Sequence, residues 1–260
     1  MRAFLHGLKV EVDVIGALIL RETRTRFGKN RLGYLWAFLE PVVMILTFWA
    51  LFDVVGRQAP YGMDLFTFIG TGVVPYYLFS NSAHRVADSI HGNQALLYYP
   101  HVQPLDLVIA RLILEAATYT FVFVALMGAH ALWQCEFEID STLLVIEGFV
   151  LTSLLGGAVG LIFMALAQFS PVVDRARGPI LRPLFWISGI FFTAETMPEH
   201  ARNAVLINPL LHPVEMVRGG FFVGYSANHA DPAYVLRWIL VLGLAGLLLE
   251  RVVRRRIEVT

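Results

Sequence analysis

GFVLTSLLGGAVGLIFMALAQFSPVV, residues 148–173, runs for 26 positions without an Asp, Glu, Lys or Arg. A helix needs about 20 predominantly apolar residues to cross a hydrocarbon core roughly 30 Å thick. In lipid the backbone must satisfy its own hydrogen bonds, as a helix or a closed barrel. No period-2 alternation accompanies the run, which leaves the helix. The chain therefore reads as an all-α integral membrane protein. Its composition agrees, with 57% hydrophobic and only 15% charged residues, against roughly 25% charged in soluble domains. At 260 residues it makes one membrane domain with no room for a separate soluble enzyme domain. Its single cysteine, Cys135, excludes an internal disulfide and a cysteine-based metal site.

Five further segments join this one, here placed at 143–169 as the fourth of six spans. The others cover 32–52, 65–84, 116–135, a short fifth at 183–194 with its flanks, and 234–253. Charge placement orients them, because Lys and Arg mark cytoplasmic loops. The segment before the first span carries Arg2, Lys9, Arg21, Arg24, Arg26, Lys29 and Arg31. Arg85 and Arg111 follow span two, Arg175, Arg177 and Arg182 follow span four, and Arg251, Arg254, Arg255 and Arg256 close the chain. Between spans three and four stand Glu136, Glu138 and Asp140 with no Lys or Arg. Both termini are thus expected in the cytoplasm. The domains expected are an N-terminal cytoplasmic segment (1–31), a transmembrane domain (32–253) and a cytoplasmic tail (254–260). Lys9, Glu11 and Asp13 interrupt any signal-peptide core, so no cleavage is expected.

Ile15, Leu18 and Ile19 recur at helical spacing, with Glu22 and Arg26 continuing the pattern. That reads as an amphipathic helix along the inner membrane face. It either anchors the first span or serves as a docking element. Leu96, Leu97, Tyr98 and Tyr99 form an apolar cluster on a loop assigned to the cytoplasm. Such a patch marks either a protein interface or a membrane-docking surface. The only lysines, Lys9 and Lys29, lie outside any G-x-x-x-x-G-K-[ST] pattern, so the chain has no phosphate-cradling loop. The short apolar runs of 193–233, broken by Pro198, Pro209 and Pro213, are too short to cross and too apolar for a free loop. They are expected to dip back as re-entrant helices. Glu215 and Arg218, three apart, share a helix face and suit an ion pair.

Arg24-Thr25-Arg26-Phe27, then Leu32-Gly33-Tyr34-Leu35-Trp36, then Glu40-Pro41 resemble the opening of type-2 ATP-binding-cassette exporter permeases. The resemblance is nearest to the branch that exports capsular polysaccharide across the bacterial inner membrane. Gly92-Asn93-Gln94-Ala95-Leu96, Tyr98, Pro104-Leu105-Asp106 and Ala110-Arg111 are similar to that branch's loop after span two. Gly160-Leu161-Ile162-Phe163-Met164 resembles its fourth span, and Asn208-Pro209-Leu210, His212, Val214-Glu215 and Arg218 resemble its motif before the last span. The similarity covers essentially the whole chain and departs at Asn30-Arg31, where many members carry a small polar residue.

The resemblance implies a homodimer of six-span subunits with a separate ATPase under each. ATP and Mg would be held by that partner, with no cofactor, metal or catalytic residue on this chain. It also implies coupling through the N-terminal helix (about 15–27) and a coupling helix (93–100) in the loop 85–106. The matching residues are Glu22, Arg24, Arg26, Asn93, Leu96, Leu97, Tyr98 and Tyr99. Further partners implied are a periplasmic adaptor, outer-membrane export proteins and an acidic polysaccharide on a lipid anchor, with no nucleic acid.

A hydrated acidic polymer needs hydrogen bonds, cations and aromatic platforms along its path. Tyr34, Trp36, Arg85, Arg182, Phe185 and Trp186 are the candidates, although Trp and Tyr also populate membrane interfaces generally. His212, Glu215 and Arg218 are the candidate exit gate. Glu40, Glu115 and Glu147 are carboxylates in or near spans, suspects for function by default. No His spacing typical of a metal site accompanies them, which speaks against an intramembrane enzyme. Ser153, Gly156, Gly157 and Gly160 suit close helix packing, within the subunit rather than between subunits. Two other readings stand beside polysaccharide export: an exporter of the same architecture for another cargo (O-antigen-type polysaccharide, lipid or drug), and a scaffold that moves nothing.

Overall fold

The computed structural model describes residues 2–27, 32–96, 102–134 and 138–257. These residues form nine α-helices and no strand: α1 (Arg2–Phe27), α2 (Leu32–Val55), α3 (Leu65–Ala87), α4 (Pro104–Gln134), α5 (Thr142–Ala167), α6 (Val172–Ile187), α7 (Glu199–Val205), α8 (Leu211–Phe221) and α9 (Pro232–Ile257). Four stretches, Trp36–Val55, Pro104–Gln134, Thr142–Ala167 and Pro232–Val252, are long and apolar enough to cross a membrane.

The other two segments expected to span differ for separate reasons. α3 has the length, 23 residues, but Gly70, Thr71, Gly72, Ser80, Asn81 and Ser82 dilute its apolar character. It packs against α2, α4, α5, α6 and α8, and residues 67–79 are all buried. A helix enclosed by other helices meets protein rather than lipid, where small and hydroxyl side chains favour close approach. α6 has only 16 residues, with Pro179 and Pro183 inside it, so it extends roughly 24 Å at 1.5 Å per residue. It ends at Ser188, and Gly189 turns the chain back at φ +77°, a conformation that costs a residue with a Cβ.

Close packing holds α3 to α5. A Cβ on Gly156 would lie 2.6 Å from the Phe79 carbonyl oxygen, and one on Gly160 would lie 2.7 Å from that of Ala83. The two helices therefore run in the same direction, and the Gly-x-x-x-Gly spacing joins helices inside one subunit. At its start α5 receives α8, where Gly148 leaves room for the Pro213 carbonyl and Gly220 for that of Ser141. Farther along, Gly246 admits α9 against Leu161. α8 is buried along residues 211–220, whereas α7 has no buried residue.

α1 lies along α4. Leu18 packs with Leu107 and Ala110, flanked by Val14, Ile15, Ile19, Leu96 and Val102. The apolar face read from 15, 18 and 19 is thus the face that docks. The helix begins earlier than that periodicity indicates, and residues 9–13 on the added turns are exposed. The end of α3 and the starts of α4 and α6 meet near α1. The start of α3, the end of α4 and α8 meet at the far end.

Candidate functional site

Two polar clusters occupy the two ends of the bundle. At the far end, α8 carries Arg218 with no exposed surface and Glu215 at 2% exposure. Taking either charge out of water is costly, and only paired, fully bonded geometry offsets it. Arg218 Nη1 donates to Glu215 Oε1 at 2.9 Å and to the Phe192 carbonyl at 3.2 Å, while Nη2 donates to the Gly189 carbonyl at 2.7 Å. The guanidinium lies 4.3 Å from the centroid of the Phe68 ring on α3, a cation–π arrangement. The planar fork thus ties α8 to α3 and to the turn that ends α6. Tyr225 donates its hydroxyl to Glu215 Oε2. Burial and that carboxylate push the Tyr225 phenol far above its ordinary range, which keeps it a donor.

The residues around this pair fasten the surrounding backbone. Asn208 Nδ2 donates to the Ile187 carbonyl (3.1 Å) and to Ser188 Oγ (2.9 Å), and its Oδ1 accepts from the Leu210 amide (3.1 Å). His212 Nε2 lies 2.9 Å from the Leu206 carbonyl and its Nδ1 lies 3.1 Å from the Asp231 amide nitrogen. Those partners require the neutral ring with its proton on Nε2. Burial, the leading cause, holds the His212 pKa below its usual value. The motif from Asn208 to Arg218 is therefore a set of backbone fasteners, with Asn208 and Arg218 both holding the turn after α6 and His212 holding Leu206 and Asp231.

At the α1 end, Glu22 pairs with Arg111 of α4 at 3.2 Å. Arg111 also donates to the Arg85 carbonyl at the end of α3 (2.7 Å). Arg21 donates to Asn93 Oδ1 (2.7 Å), and the buried Asn93 in turn donates to the Ser89 carbonyl (3.2 Å). Arg85 lies 3.6 Å from Glu115. Arg177 of α6 joins Asp88 (2.8 Å) and Asp174 (2.9 Å) and donates to the His84 carbonyl (3.3 Å). Three neighbouring groups of contacts link α1, the turn after α3, α4 and the start of α6.

The sequence-selected coupling residues distribute as follows. Glu22 and Asn93 belong to this network, Leu96 is half-buried against the Leu18 cluster, and Arg24 is exposed. The side chain of Arg26 and all of Leu97, Tyr98 and Tyr99 lie outside the described residues, as does the side chain of Tyr34. The other path candidates fall into separate groups. Arg85 stands in the α1-end network. Trp36 on α2 is 66% exposed, Trp186 on α6 is 60% exposed, and Arg182 is exposed beside it. Phe185 is buried in a ring cluster with Phe48, Tyr76, Trp186 and Phe191. His212, Glu215 and Arg218, by contrast, share the far-end cluster.

Sequence reasoning missed Arg177 and Asp88 as partners, and Gly189 and Tyr225 as parts of the far-end cluster. Arg177 and Asp88 carry a signal, being charges at span ends; Gly189 and Tyr225 carry none, since their importance lies in what folds onto them. Among the described residues, no three His, Cys, Asp or Glu side chains converge as metal ligands.

The model of the ABC-2 type transporter family matches residues 13–222. The chain is 35% identical to the polysialic acid transport protein KpsM of Escherichia coli, covering 94% of this chain and 95% of that protein. It is 30% identical to the capsule polysaccharide export inner-membrane protein CtrC of Neisseria meningitidis, over 94% and 92% of the two chains. It is 28% identical to the capsule polysaccharide export inner-membrane protein BexB of Haemophilus influenzae, over 98% and 96%. With a family match across most of its length, and a KpsM-like relative matched nearly end to end, this chain belongs to the ABC-2 type transporter membrane family.

Proposed function

We propose that the chain is the permease subunit of an ATP-driven exporter that moves lipid-linked, acidic capsular polysaccharide across the bacterial inner membrane. The observation that carries this reading is the near end-to-end match to capsule-export permeases, with the Asn208–Arg218 motif folded as one built cluster. On this reading α2, α3, α4, α5, α6 and α9 are the six spans, and α6 with the enclosed α3 depends on its neighbours to remain in the membrane. Both termini face the cytoplasm, in line with the Lys/Arg distribution. α7 and α8 form the re-entrant exit region.

Two copies of the chain associate, and a separate ATPase docks under each. α1 and the loop after α3 receive its motion, because the Glu22–Arg111 and Arg21–Asn93 contacts connect exactly two such elements to α3 and α4. Arg177 passes the displacement to α6. Periplasmic adaptor and outer-membrane proteins complete the route, and the chain itself holds no cofactor.

A deletion strain tests the reading. Loss of the chain is expected to remove capsular polymer from the surface while lipid-linked polymer accumulates inside, and plasmid-borne wild type is expected to restore export. Purification in mild detergent is expected to bring down an ATP-binding subunit. Normal surface polymer in the deletion strain would overturn the assignment.

A further inference from the structure

Arg111 is 8% exposed, and its guanidinium meets three elements other than its own helix. Nε lies 3.2 Å from Glu22 of α1, Nη1 donates to the Arg85 carbonyl at the end of α3 (2.7 Å), and Nη2 faces Gly92 in the turn after α3. A planar fork with five donors holds several partners at fixed angles, which an ammonium cannot do. A nearly buried cation is stable only while those partners stay in place.

Gly92 supplies the space for this arrangement. A Cβ there would lie 3.0 Å from Arg111 Nη2, with no other non-adjacent atom within 4 Å. The Gly92 backbone is outside the left-handed region, so a larger residue would be refused by the guanidinium and not by the turn itself. The Gly92 amide donates to the Asp88 carbonyl (3.0 Å), which ties the turn to the end of α3.

A second contact joins the same two elements. Arg21, adjacent to Glu22, donates to Oδ1 of the buried Asn93 (2.7 Å), which is adjacent to Gly92. Asn93 also donates to the Ser89 carbonyl (3.2 Å), which fixes its amide plane. Residues 21 and 22 of α1 and residues 92 and 93 of the turn thus close a ring through Arg111. α1 cannot leave the turn without breaking the Arg21–Asn93 bond, and neither element can leave α4 without uncovering the guanidinium. Two elements far apart in sequence are held as one body.

We infer that Arg111 is a positioning residue for energy coupling: it seats α1 and the turn after α3 on α4 as one lever, and Gly92 lacks a Cβ so that the turn can close over the guanidinium. A push on either element then reaches α3 and α4 as a single input, through the Arg85 carbonyl and through Arg111 itself. The coupling role rests on the export reading, whereas the joint seating is a property of the chain alone.

Hydrogen–deuterium exchange of the full-length protein in nanodiscs tests the seating. Local opening sets the exchange rate, and a helix released from its packing frays. Gly92→Val is expected to raise exchange about tenfold both in the turn (89–94) and across α1 (14–24), although residue 92 lies outside α1. Arg111→Lys is expected to do the same, and the double variant to do no more than Arg111→Lys alone, because both act through one guanidinium. Should Gly92→Val fail to insert, Gly92→Ala meets the guanidinium with a single methyl group and is read in its place. Unchanged exchange in α1, or additive effects in the double variant, would overturn the lever. The coupling role is read in cells and in membranes carrying the copurifying ATPase. Gly92→Val is expected to lower surface polymer about tenfold while ATP hydrolysis stays within about twofold of wild type. Undiminished export, or export and hydrolysis falling together, would overturn the role. Wild-type export that depends on the chain, with α1 and the turn exchanging independently, would remove the lever and leave the exporter standing.

Discussion

The two ends of the bundle use the same residue types to opposite effect. At the far end one guanidinium, shielded completely from solvent, bonds mainly to carbonyl oxygens of the chain itself. At the α1 end four arginines bond mostly to side chains, from the buried Asn93 and Glu115 to the half-exposed Asp88, and they join α1, the turn after α3, α4 and α6. A buried charge bonded to backbone has no second arrangement of low energy. A pair at the boundary, such as Arg177 with Asp88, can exchange a side-chain partner for water. The far end is therefore a fixed pin, and on the export reading the α1 end is the clasp between moving parts.

Removing the pin is the most damaging change. Arg218→Met leaves Glu215 buried without its cation and two loop carbonyls without a donor, a loss of about 3–5 kcal/mol. Arg218→Lys is expected to recover little, because an ammonium cannot reproduce the planar fork. The exchange Glu215→Arg with Arg218→Glu is also expected to fail, since it points a carboxylate at the Gly189 and Phe192 carbonyls. Thermal unfolding in detergent and the amount of protein in the membrane check all three. A double exchange with wild-type stability would show that only the pair matters and that the carbonyl contacts contribute nothing.

The rod between the two ends comes next. Gly160→Val places a branched side chain where a Cβ already meets the Ala83 carbonyl and Val86, with an expected cost of about 1–3 kcal/mol from overpacking. Gly128, whose Cβ would meet nothing, provides the control: Gly128→Ala is expected to be neutral or slightly stabilising. Parallel unfolding curves of the two variants make the comparison.

Opening the clasp should cost less than removing the pin. Glu22→Gln leaves the nearly buried Arg111 without its carboxylate, at an expected cost of about 1–3 kcal/mol, and is expected to impair export strongly, if α1 carries motion into α4. Surface polymer per unit of membrane-embedded protein is the measurement. A large stability loss would make the clasp a second pin.

The smallest effect is that of pH on the pin's edge. The folded protein keeps His212 neutral, because burial holds its pKa below the ordinary histidine range. The unfolded chain therefore binds the proton first. This contribution is complete above about pH 6.5 and is lost as pH falls through the folded value. A shallow decline in melting temperature is expected over that range for wild type and not for His212→Gln. An identical slope in both would assign the decline to other groups.

Much of this was readable in the sequence, for reasons that differ by residue. The charge-free run at 148–173 becomes α5 because length and apolarity alone decide a span. Ile15, Leu18 and Ile19 give the docking face of α1 because a 3.6-residue period leaves no other stripe. Glu215 and Arg218 read as a pair because three residues is one helical turn. Their near-total burial was not readable, since it comes from α3, α5 and the turn at Gly189 closing over them. The path candidates fared differently. Aromatic and Arg side chains near span ends have no periodicity to group them, and the structure brings Phe185 and Trp186 together while it leaves Arg85 at the α1 end and Trp36 exposed on α2.

The enclosed character of α3 has a consequence for how the protein is made. A helix carrying Gly70, Thr71, Gly72, Ser80, Asn81 and Ser82 gains less on entering lipid than its apolar neighbours do. The glycine face that receives it belongs to α5, which leaves the ribosome more than 50 residues later. A nascent chain that ends after α4 lacks that face. On the six-span reading, stable integration of α3 is thus a cooperative event late in synthesis, completed only when α5 arrives.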